Sequence, residues 1–304
     1  MKTNVTFLSN NLELAGHLYT PDGHQQGPLP GVVIPHPWGG VKEQAATVYA
    51  RKLCQEGFAT LVFDAAYQGE SEGEPRFLEI PAQRAEDIRS AVSLLSTRAE
   101  VDPERIGGLG LFASGSYMPF AAQTDLRIKA VAAVSTVDVG SMLREGLFGE
   151  QDEEALRVLL TEVGAARTEE AQGKGVRLQG IFPETREEVA ELPPIYQEAW
   201  EYYMTERGAH PRSKSQFVFR SVDHLVQFDA CAMLRLLAPR PLLVMEGSES
   251  SVADHSRRFI ENAPGPKEMF WVEGATHGDL LYKEEFITPA IAKLTDFFRQ
   301  SLNG

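Results

Sequence analysis

Polar and apolar residues alternate over positions 3–20 (VTFLS, then LELAGHLYTP), with a break at Asn10 and Asn11. This predicts an antiparallel hairpin at a sheet edge. Positions 21–30 are rich in Gly, Pro and polar residues and predict a loop. After that, short apolar runs alternate with stretches whose apolar residues recur at helical spacing. GVVIPH (31–36) reads as a strand, 41–55 as a helix with Gly57 just beyond its end, and ATLVFDA (59–65) as a buried strand. A helix at 84–96 follows Pro81. IGGLGL (106–111) then reads as a strand, 114–124 as a helix and 127–138 as a strand. The alternation returns late in the chain, with PRPLLVMEG (239–247), a helix at 253–263, EMFWVEGATH (268–277) and a last helix at 287–301. Such alternation implies βαβ units and a mainly parallel sheet with helices on both faces, an α/β architecture.

The stretch from 140 to 230 breaks the pattern. It is charged and helical (EEALRVLLTEV, TREEVAEL, IYQEAWEYYM) and ends in an irregular segment, TERGAHPRSKSQF. The expectation is a helical cap, 140–230, inserted into a core of 1–139 and 231–304. It would lie over the C-terminal ends of the strands, where such sheets bind ligands. Its aromatics, Tyr196, Trp200, Tyr202, Tyr203 and Phe217, are expected mostly to pack the cap, with some lining an apolar substrate chamber, for which Tyr196, Trp200 and Tyr203 are the candidates.

Composition narrows the function. The 304 residues are 43% hydrophobic, enough for one large core, and the net charge of −14 argues against nucleic acid or an anionic membrane as partner. Cys54 and Cys231 lie far apart and form no metal-binding motif, so no structural zinc, no metal and no disulfide framework is expected. There is no apolar run of membrane-spanning length and no signal-peptide pattern, which makes the cytoplasm the expected location. A homodimer is compatible with these features.

The chemistry turns on residues 106–117, IGGLGLFASGSY, where a buried strand meets small residues and then a helix. The stretch resembles the nucleophile elbow of the α/β-hydrolase superfamily, most closely its dienelactone-hydrolase-like branch, whose elbow runs Gly-x-Cys-x-Gly/Ser-Gly. Gly110, Ser114 and Gly115 fall on the small positions, and Phe112 falls on the nucleophile. The resemblance extends to HPWGGVKEQ, FDAAYQGESEGEPR and YYMTERGAHPRS, and so to nearly the whole chain. It implies an α/β-hydrolase fold and several roles. His277 would be the general base, and the backbone amides of Trp38 and Ala113 would be the oxyanion donors. The acid that orients His277 would be Glu249, Asp254 or Asp138. Ser114 is the substitute nucleophile, although its position equally suits a residue that faces the neighbouring strand or caps the helix. His36, Tyr67 and Glu70 are placed to reach the pocket, and Lys42 with Glu43 reads as an ion pair at an exposed helix end. The functions implied are hydrolysis of an ester, lactone, thioester or carbon–carbon bond in a small hydrophobic carbonyl compound, a non-hydrolytic cyclase, lyase or isomerase reaction, or silent ligand binding. No cofactor is expected.

Overall fold

A computed structural model describes residues 1–24 and 27–302; positions 25 and 26 of the expected 21–30 loop lie outside it. The polar–apolar alternation becomes the edge hairpin of β1 (Lys2–Ser9) and β2 (Leu12–Tyr19). Asn10 and Asn11 turn it with φ of 46° and 63°, the left-handed pair that a two-residue hairpin needs and that Asn tolerates. The apolar runs follow as β3 (Leu29–Pro35), α1 (Ala45–Gln55), β4 (Ala59–Phe63), α2 (Pro81–Ser96), β5 (Val101–Leu111), α3 (Ser114–Thr124) and β6 (Ile128–Val134). Pro81 opens α2 at a position where its missing N–H costs nothing.

Between β6 and the next core strand lie α4 (Val139–Glu145), α5 (Glu153–Ala171), β7 (Leu178–Gly180), α6 (Arg186–Ala190), α7 (Pro194–Tyr203), β8 (Gln216–Val218) and α8 (Ser221–Val226). Asp152 caps α5, and Thr185 with Glu188 forms a capping box on α6. The small β7–β8 ribbon occupies ground that the hydrophobic pattern leaves as helix or loop. The core resumes with β9 (Leu242–Gly247), α9 (Ala253–Asn262), β10 (Lys267–Val272), α10 (Asp279–Tyr282) and α11 (Glu284–Leu302). The sheet order is β1-β2-β4-β3-β5-β6-β9-β10, parallel except where β2 meets β1 and β4. One face buries against α2, α3 and α9, the other against α1 and α11. Among the described residues no helix is long and apolar enough to cross a membrane.

Lys42 is not at an exposed helix end. Its side chain is 1% exposed, with Nζ 2.6 Å from Asp64 Oδ2, 2.6 Å from Glu70 Oε2 and 3.0 Å from Glu43 Oε1. Arg212, from the far end of the inserted segment, adds bonds to Glu43 and Glu70. The cluster ties the start of α1, the loop after β4 and the insertion together, which is why Glu70 serves this lock and not the pocket. Lys42→Ala leaves the fully buried Asp64 without its cation and is expected to cost about 3–5 kcal/mol, read as a lowered urea midpoint; a loss below about 1 kcal/mol would mean that the cluster is solvated and weak.

Candidate active site

The turn from β5 to α3 leaves room for small residues only. A Cβ on Gly110 would sit 2.3 Å from the Ser114 carbonyl oxygen, and one on Gly115 would sit 2.7 Å from Thr136 Oγ1. Phe112 stands at the apex with φ 54°, in the left-handed region that a bulky side chain rarely enters. Its N–H donates to Val134 O at 2.9 Å, and its carbonyl accepts from Gly115 N–H at 2.9 Å and Val137 N–H at 3.2 Å. The backbone thus has the strained geometry of a nucleophile elbow, with an aromatic ring where the nucleophile would stand.

That ring faces His277. The two ring centroids are 5.0 Å apart with planes at 76°, an edge-to-face contact. His277 follows β10, as expected. It is buried, and its Nδ1 points to Glu246 Oε1 at 3.8 Å with no closer partner. Glu246, the penultimate residue of β9, is itself fully buried. Its Oε2 accepts from Ser256 Oγ at 2.6 Å, and its Oε1 from Ser135 Oγ at 3.2 Å and Gly247 N–H at 3.2 Å. Burial pushes its carboxyl upward, but the electrostatic attraction of the nearby His277 and the hydrogen bonds from serine hydroxyls outweigh that and hold it below the ordinary glutamate value.

Glu246 is the residue that reading the sequence missed. The sequence points to the loop after the strand or to Asp138 for a carboxylate beside His277, whereas the one that faces its Nδ1 is the penultimate residue of β9. The available signal was a lone carboxylate in the otherwise apolar run PLLVMEG, since a buried strand rarely carries an unpaired charge. The three proposed acids lie elsewhere. Glu249 and Asp254 are exposed, and Asp254 pairs with Arg257. Asp138 is buried, but it caps α4 by accepting from Gly140 and Ser141 N–H.

Ser114 does not face the chamber. Its hydroxyl has two carbonyl oxygens in reach as acceptors, Leu111 O at 2.8 Å and Pro35 O at 3.0 Å, and accepts from Leu111 N–H, which holds the elbow against β3. Neither cysteine replaces it. Cys54 is buried in α1, and burial beside Asp138 and Asp229 pushes the Cys231 thiol up to about 12. The Trp38 and Ala113 side chains both line the chamber, and among the described residues neither backbone amide donates a hydrogen bond.

The chamber is about 300 Å³. Its floor is Phe112, Ala113 and His277, and its wall includes Trp38, Val137 and Val139. From the insertion, Met142, Leu143, Leu147, Ile181, Ile195, Tyr196, Tyr203 and Phe217 close it. Trp38 packs edge-on against Phe217, with centroids 4.9 Å apart. Among the described residues, no Asp, Glu, Lys or Arg lines it. Trp200 is not in the wall: its indole N–H donates to Pro183 O within the insertion. Tyr67 packs on the core with φ 70°. His36 lies under the loop. It donates from Nδ1 to Pro37 O at 2.7 Å and accepts at Nε2 from Ala65 N–H and Arg84. Burial, then the Arg84 charge, holds it well below the usual histidine range, so it is a neutral strut for the Trp38 loop.

Residues 11–230 match the model of the X-Pro dipeptidyl-peptidase (S15) family. The chain belongs to this family. The superfamily read from the elbow is thereby shown, and the fold is that of the α/β hydrolases. The chain is 35% identical to the uncharacterized protein YcjY of Escherichia coli K12, over 99% of this chain and 100% of the relative. It is 30% identical to the crystal structure of the hypothetical protein PA2218 of Pseudomonas aeruginosa, with a TM-score of 0.95 over 99% of this chain and 94% of the other. It is 27% identical to the thiohydrolase aneE of Aspergillus aculeatus, over 93% of this chain and 89% of the relative. The chain is thus a member of a hydrolase family.

The Glu246 carboxyl fixes a dependence on pH. Its value in the folded chain lies below the ordinary 4.5, so its contribution is complete above 4.5 and disappears as pH falls through the lower folded value. Glu246→Gln should therefore unfold more easily than the parent at neutral pH. The gap should close on acidification below 4.5, read by thermal unfolding across a pH series. A gap that stays constant with pH would place the stabilisation outside this carboxyl.

Proposed function

We propose that the protein acts on the carbonyl group of an uncharged, hydrophobic small molecule without forming an acyl-enzyme. The observation that carries this is the Phe112 ring at the elbow apex, packed on His277. A phenyl ring has no lone pair to add to a carbonyl carbon, so the nucleophile must come from outside the chain. Glu246 favours the proton on Nδ1 of His277, which leaves Nε2 as the base. Nε2 takes a proton from water while the water oxygen bonds to the carbonyl carbon. The charge that develops on the carbonyl oxygen is met by the Trp38 and Ala113 amides. Collapse of the adduct expels an alkoxide or thiolate, which recovers the proton from the imidazolium.

The relative named a thiohydrolase supports a thioester within this class. The family's name does not extend to specificity. A peptide amino terminus is cationic, and the chamber wall offers it no carboxylate among the described residues. A second reading rests on the same ring. An apolar floor gives attacking water no hydrogen-bond partner, and the same base with the same amides would remove a proton α to a carbonyl and hold the enolate, giving cyclisation, elimination or isomerisation.

The test is a panel of neutral aryl and alkyl esters, thioesters and lactones, with products followed by mass spectrometry. His277→Gln should lower the rate on any turned-over member by about 10²–10⁴-fold, and an unchanged rate removes His277 from the mechanism. A fluorophosphonate should add no mass to the wild type and should label Phe112→Ser. Labelling of the wild type at any residue lining the chamber would restore a covalent mechanism.

A further inference from the structure

Helix α7 has two working faces. Ile195, Tyr196, Ala199 and Tyr203 line the chamber. Glu198 and Tyr202, one turn apart, instead grip the segment that carries His277. Glu198 Oε2 accepts from the Gly278 N–H at 2.8 Å. Tyr202 stacks on Tyr282 of α10, with centroids 5.8 Å apart and planes at 16°. The approach is tight: a Cβ on Gly278 would lie 2.6 Å from Glu198 Cβ. Gly278 is the N-cap of α10, where a backbone amide has no partner inside its own helix. The acceptor comes from the insertion, 80 residues away in sequence and directly beside His277 in space.

We propose that α7 couples occupancy of the chamber to the placement of His277, with Glu198 as the positioning residue. A ligand that presses on Ile195, Ala199 and Tyr203 moves the helix as a rigid rod. The rod carries the Gly278 amide with it, and so the imidazole one residue earlier. The proposal rests on the reading of His277 as the base, but it is tested without turnover, so the two fail separately.

The protein is labelled with ¹⁵N-histidine, and the His277 imidazole signals, assigned by comparison with His277→Gln, are titrated with pH. Glu198→Met keeps the bulk of the side chain but has no oxygen. It should broaden the His277 signals and move their midpoint, leave the His36 signals in place, and raise amide hydrogen exchange across residues 276–282 by about tenfold. Glu198→Gln retains an acceptor oxygen and should restore both. In the wild type, acetophenone, a neutral ketone that is not hydrolysed, should slow exchange across 276–282; in Glu198→Met it should not. A Met variant with wild-type titration and exchange overturns the proposal. So does a Gln variant that behaves like Met, since charge and not the hydrogen bond would then be responsible. If Glu198→Met fails to fold by circular dichroism, the wild-type exchange decides: acetophenone that saturably quenches tryptophan fluorescence yet leaves 276–282 unprotected overturns the coupling, and protection there supports it.

Discussion

A central strand that ends at Leu111 and a helix that begins at Ser114 leave the chain two residues in which to reverse, and the sheet above and the helix below are both already packed. The only exit puts residue 112 in the left-handed region. For a phenylalanine this costs about 1–2 kcal/mol, held in place by hydrogen bonds to β6 and the loop after it and by the Ser114 hydroxyl on β3. Everything at the site inherits its direction from that bend. The side chain of 112 is thrust upward, the next amide follows it, and the ends of β6 and β9 fall beside them with Ser135 and Glu246.

Much of this was legible from spacing. The hairpin, the parallel strands, the elbow and the placement of His277 after the last strand follow from apolar periodicity and from where small residues cluster. What was not legible depends on burial. Lys42 and Glu43 look like a surface pair because sequence carries no information about Asp64 and Glu70 folding back over them. Glu246 stands alone among apolar residues in sequence, and only the fold brings Ser256 and Ser135 to where they satisfy its oxygens. His36 reads as a pocket residue because it precedes the Trp38 loop, yet it sits just past the end of β3 with its ring bonded inward to Arg84 and the Ala65 N–H. Trp200 and Tyr203 are three apart on one helix, yet the Trp200 indole bonds to Pro183 within the insertion while Tyr203 lines the chamber.

The chamber's character follows from its makeup. Among the described residues its lining includes His277 but no Asp, Glu, Lys or Arg, so apolar side chains make up most of its wall. Glu246 lies buried behind His277, its oxygens satisfied by the Ser256 and Ser135 hydroxyls and the Gly247 N–H. His36, held neutral, adds no competing charge beneath the Trp38 loop.

The insertion leaves the sheet after β6 and the chain rejoins it at β9, and these two strands are hydrogen-bonded neighbours. The register between them is therefore set locally, whatever length of polypeptide departs and returns in the interval. Such an arrangement makes the roof of the chamber an exchangeable module. Length and side chains in the roof can vary without disturbing the pairing of β6 with β9 on which the floor beneath it rests.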